Sequence, residues 1–88
     1  MGKHREAGLY LEGLRLEKGM GQRELAEKLN LELYTEVAAR EAGAGMLGPS
    51  EILDWADALE VDRTEFSREM LSFYYPDLSE ALFPNDKD

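Results

Sequence analysis

Along the 88-residue chain, apolar side chains recur at spacings of three and four, and Gly, Asn or Pro punctuates the pattern. That alternation predicts six short helices and no strands. Tyr10, Leu11 and Leu14 form an apolar stripe on a first helix from about Glu6 to Lys18, closed by Gly19 and Gly21. Leu25, Ala26 and Leu29 share one side of a second, Gln22 to Leu29, and Asn30 after it suits a left-handed turn. A third spans about Leu33 to Ala42, stopped by Gly43 and Gly45, with a loop from Gly43 to Pro49. Ser50 is the expected N-cap of a fourth, in which Ile52, Leu53, Trp55, Ala56 and Leu59 follow the i, i+3, i+4, i+7 rule. Asp62 and Glu65 have capping-box spacing for a fifth, ended by Pro76; Asp77 and Glu80 repeat that spacing before a short sixth. The expected fold is all-α: a compact five- to six-helix bundle in one domain over residues 1–88. Its core covers 6–75, a helical extension 76–83 and a frayed tail 84–88.

Charge changes this picture from that of a generic bundle. The chain has 19 acidic and 10 basic residues, a net charge of −9, and the imbalance is local. Residues 1–29 carry six bases and five acids; residues 30–62 carry eight acids and one base, Arg40. A surface built from the second stretch repels phosphate and attracts basic partners; a solvated acidic face that serves solubility is the plainer account. There is no cysteine, so no disulfide framework and no thiolate. His4 is the only histidine and lies ahead of the first expected helix, which leaves no dyad. No calcium-loop or zinc spacing occurs, and a chain this short offers little room for a deep cleft. These features predict no enzyme, no cofactor and no metal. No apolar run approaches a membrane span or a signal peptide, so the expected location is the cytoplasm.

Two short helices joined by a turn inside such a bundle form a helix-turn-helix pattern. The run from Gly21 to Gly43, GQRELAEKLNLELYTEVAAREAG, resembles the Cro/C1-type (XRE-like) helix-turn-helix family of transcriptional regulators. Gln22, Glu24, Leu25, Ala26 and Leu29 match its Q-x-E-L-A-x-x-L helix, and Pro49 to Asp62 resembles the helix that follows. The resemblance covers about residues 9–83 and implies a lambda-repressor-like bundle. One departure is a turn one residue longer than the commonest form; taking it places Val37 in the core, and without it Glu36 would face inward at a cost. The resemblance also implies an ion pair between Arg15 and Glu41, at the ends of the first and third helices.

In that family the third helix reads base edges and the start of the second holds phosphate. The corresponding DNA-facing or partner-facing surface here is Gln22, Arg23, Glu32, Tyr34, Thr35, Glu36, Ala39 and Arg40. Two carboxylates at the reading positions oppose the attraction on which DNA binding depends. By register Arg40 falls where an apolar residue usually meets the core; with its stem buried it would lie along the surface, and pointing outward it would be a base contact. The leading expectation is therefore a protein that keeps the regulator fold and acts by protein–protein contact. It would antagonise a basic or related helix-turn-helix regulator, as a DNA mimic or as a heterodimer partner. The alternative is a homodimeric, sequence-specific repressor. Phe66, Met70, Leu71, Phe73, Tyr74, Leu78, Leu82 and Phe83 exceed what a five-helix core needs. They read equally as packing of the last helix and as a dimer interface.

Overall fold

The helices begin and end where the chain supplies or withholds partners for backbone groups. The computed structural model describes residues 3–84. It contains α1 (Lys3–Glu17), α2 (Gln22–Lys28), α3 (Thr35–Glu41), α4 (Pro49–Ala58), α5 (Arg63–Tyr74) and α6 (Pro76–Leu82), with no strand among the described residues. The chain is thus a small all-α bundle of six helices. The tail expected to fray lies, from residue 85 onward, outside the described residues.

Several boundaries differ from the sequence expectation for identifiable reasons. α1 begins at Lys3 rather than Glu6, and the His4 ring meets the Tyr74 ring edge-on at 5.4 Å, so the first turn has a packing partner. α3 begins at Thr35, not Leu33. The N-cap of α4 is Gly48 instead of Ser50: Pro49 takes the first helical position, where its missing N–H costs nothing. The Glu51 carboxylate then accepts from the Gly48 N–H at 2.7 Å. Asp62 does cap α5, accepting from the Glu65 N–H at 2.8 Å. The matching pair Asp77 and Glu80 caps nothing, because Pro76 starts α6 directly after Tyr75. Asn30 takes the left-handed conformation expected of it, φ 61°.

α1 is the central strut, lying against both α3 and α5; α4 and α6 pack on α5, and α2 on α3. Leu11, Leu25, Val37, Leu59, Phe66 and Met70 are fully buried, so α1, α2, α3, α5 and the end of α4 share one core. Val37 points inward and Glu36 outward, the register the longer turn requires. Phe66 and Met70 are therefore core residues and are not available to a dimer interface. Phe73 and Tyr74 are half-buried against the same core, and the Tyr74 hydroxyl accepts from the Leu47 N–H at 3.1 Å. On α4 the inward face is Ile52, Trp55, Ala56 and Leu59, while Leu53 is turned to solvent. α6 inverts its hydrophobic expectation: the small Ser79 is buried, and Leu78 and Leu82 are exposed. Leu71 is half-buried, and Phe83 is covered by the Arg68 guanidinium, 4.7 Å from its ring centre.

The tightest constraint is the crossing of α1 and α3. A Cβ at Gly8 would collide with the Glu41 carbonyl, so only glycine allows this approach. Gly43, just past α3, has φ 88°, and a Cβ there would lie 3.0 Å from the Arg5 Cα. Gly13, also within α1, has open space around its Cβ position. Gly8→Ala is expected to cost about 3 kcal/mol or more in urea denaturation. Gly13→Ala should instead gain about 0.5–1 kcal/mol from helix propensity. A wild-type unfolding midpoint for Gly8→Ala would contradict the close crossing.

Candidate interaction face on the third helix

α3 is held by a buried cluster of charged and polar side chains. Arg15, at the end of α1, donates from Nε to Glu41 Oε2 at 2.6 Å and from Nη2 to Glu41 Oε1 at 3.0 Å. Its Nη1 donates to the Met20 carbonyl at 2.9 Å, and both Arg15 and Glu41 are buried. The bidentate fork fixes direction as well as distance. The hydrogen bond to Glu41 outweighs burial and, with the charge of Glu41, holds the guanidinium above its ordinary value. Gln22, at the start of α2, donates from Nε2 to the same Glu41 Oε1 at 3.0 Å. One carboxylate therefore joins the ends of α1 and α3 to the start of α2. Among the described residues no buried side-chain nitrogen or oxygen lacks a partner.

With α3 fixed in this way, its outward side is determined. Glu32, Leu33, Tyr34, Thr35 and Glu36 are exposed, and Ala39 is half-buried beside them. Glu36 lies in the first turn of α3, where a carboxylate interacts favourably with the helix dipole. Arg40 lies along the surface at the end of α3, its one hydrogen bond open to solvent. It is half-buried, and its Nη1 donates to the Ala44 carbonyl at 2.8 Å, closing the end of α3 onto the following loop. It also lies against Gly45, whose Cβ position is 3.0 Å from Arg40 Nη1. The polar head thus reaches a carbonyl past the end of the helix and leaves the core to Val37. Arg23 is exposed, its guanidinium 4.1 Å from the centre of the Tyr34 ring, a cation–π contact across the turn between α2 and α3.

Of the eight residues expected on this surface, the structure thus brings Arg23, Glu32, Tyr34, Thr35 and Glu36 together in the open. Gln22 and Arg40 each give one donor to the fold, Gln22 to Glu41 and Arg40 to the Ala44 carbonyl. Sequence reasoning missed Leu33, which is 59% exposed because α3 starts two residues after it. It also missed a shallow cleft of about 220 Å³ beside it, lined in part by Ala26, Glu27, Leu31 and Tyr34. An apolar residue in a turn preceded and followed by acids was the available signal. Among the described residues no group of three or more potential ligands could hold a metal ion, and no helix is long and apolar enough to cross a membrane.

The cluster that orients this face has a measurable cost of removal. Arg15→Ala leaves Glu41 buried without its cation and is expected to destabilise the chain by about 3–5 kcal/mol in chemical denaturation. Gln22→Ala removes one hydrogen bond to a charged group and should cost about 1–3 kcal/mol. A change within about 0.5 kcal/mol for Arg15→Ala would place the pair in solvent.

No protein-family model matches the chain and no curated protein matches it.

Proposed function

We propose that the chain is a transcription-associated helix-turn-helix protein of the Cro/C1 type that acts in the cytoplasm by contacting another protein rather than by reading DNA. α2 and α3 stand as the two helices of the motif. The observation that carries the reading is the state of the cations on the α3 side. Arg40, the only base between residues 30 and 62, is turned onto the Ala44 carbonyl. Glu32 and Glu36 remain in solvent. A duplex presents about one negative charge per 1.7 Å, and two carboxylates at the reading positions repel it. The same face suits a basic protein: complementary charge steers encounter, and Leu33 and Tyr34 supply an apolar anchor of the kind that contributes most at protein interfaces. The partner fitting this chemistry is a basic DNA-binding regulator whose own reading surface would be covered. Leu78 and Leu82, exposed on α6, offer a second route, through heterodimer formation.

The homodimeric repressor remains the second reading, favoured by one feature. Arg23 is exposed at the start of α2, where a phosphate would lie in a DNA-bound member of the resembled family. Two measurements separate the readings. Polarisation with a pool of random duplexes should show no saturable binding in the range of specific complexes, about 10⁻⁸–10⁻¹¹ M. A photo-crosslinker at position 35, exposed beside both carboxylates, should capture a basic regulator, and that regulator's operator duplex should compete with the adduct. Selection of a single duplex in that affinity range, weakening steeply with salt, would establish the repressor instead. Glu32→Lys with Glu36→Lys should abolish the adduct.

A further inference from the structure

A separate groove lies on another side of α1. Gly8 and Arg15 face α3, whereas Tyr10 and Leu14 point about 100–160° away around a helix of 3.6 residues per turn. There α1 and α5 diverge over a groove of about 370 Å³. Its floor is apolar and aromatic: Tyr10, Leu14, Val61 and Phe66, with Tyr10 stacked on Phe66 at 6.0 Å. Its rim is acidic: Asp62, Glu65 and Glu69. Burial first, then the charges of Glu69, Glu65 and Glu17, push the Tyr10 hydroxyl up to about 12. The arginines of α5 do not neutralise this rim. Arg63 gives two hydrogen bonds to Asp57, at 2.9 and 2.7 Å, and Arg68 lies over Phe83.

We propose that this groove binds a small organic cation, an ammonium or guanidinium carried on an apolar body. The apolar part would lie on Leu14 and Val61 beside the Tyr10 ring, and the positive head would meet the rim carboxylates of Glu65 and Glu69. Sites between helices of a bundle are common places for small ligands, and the volume falls at the lower end of their usual range, about 300–1,000 Å³. The charge excludes anions, and the floor favours an amphiphilic cation over a hydrated metal ion. This site does not depend on the reading of α3.

The test is an NMR titration of the isotope-labelled full chain with 2-phenylethylammonium and, separately, with its neutral counterpart 2-phenylethanol. The ammonium should shift the Leu14, Val61 and Phe66 resonances saturably, with a Kd at least about tenfold below that of the alcohol. Glu65→Gln with Glu69→Gln should remove that preference while the circular dichroism spectrum stays unchanged; Asp62 is left intact because it caps α5. If the double variant loses structure, the wild-type comparison of ammonium with alcohol decides alone. Equal affinity for both compounds, or no saturation by the ammonium in the millimolar range, overturns the proposal. So do shifts produced only by an arginine-rich peptide, which would assign the groove to a basic protein. Shifts that track protein concentration without ligand would assign it to a second copy of the chain.

Discussion

The arrangement of this small bundle depends on one buried ion pair. Arg15 and Glu41 close the ends of α1 and α3 with a two-point contact that tolerates little rotation of either helix. A charge pair in the interior is not in itself a large gain in stability, since both ions lose their water. Its importance lies in what its geometry dictates. The two helices cross closely enough to require Gly8, and the same carboxylate binds Gln22 at the start of α2. Three helices are thereby oriented around a single acceptor, with Val37 packed beneath them.

That constraint reaches the surface. Because Glu41 takes the Gln22 amide, a group suited to a phosphate contact is held within the fold. Because α3 cannot rotate, Glu36 stays outward and Val37 inward. Arg40 then falls at the end of α3, where it closes the loop through the Ala44 carbonyl. The face that results combines the carboxylates of Glu32 and Glu36 with Leu33, Tyr34 and the exposed Arg23, and the proposed protein partner rests on that composition. The groove between α1 and α5 carries the same sign, on a different side of α1.

Much of this was legible in the sequence where periodicity and punctuation agreed. α2, the inward face of α4 and the cap of α5 follow from apolar spacing, Asn30 and Asp62. The core placement of Val37 followed because the other register would have buried a glutamate. What could not be read depends on contacts between distant segments. α1 gains its first turn from Tyr74, seventy residues downstream of His4. α6 turns Ser79 rather than its leucines toward the bundle, a choice made by close packing and hidden from a count of hydrophobic residues. On the candidate face, the acids were visible as composition, but the orientation of Arg40 was not. A long side chain follows the nearest available carbonyl, and that carbonyl belongs to a loop whose path the sequence does not reveal.

The sign of the potential over α3 can be measured without knowing any partner. Paramagnetic relaxation of the backbone amide protons by a cationic and by an anionic nitroxide reports that potential residue by residue. The cationic probe should dominate at residues 32–39 by a larger ratio than along α1. A ratio at α3 equal to or below that of α1, or dominance of the anionic probe there, would contradict an acidic face on α3.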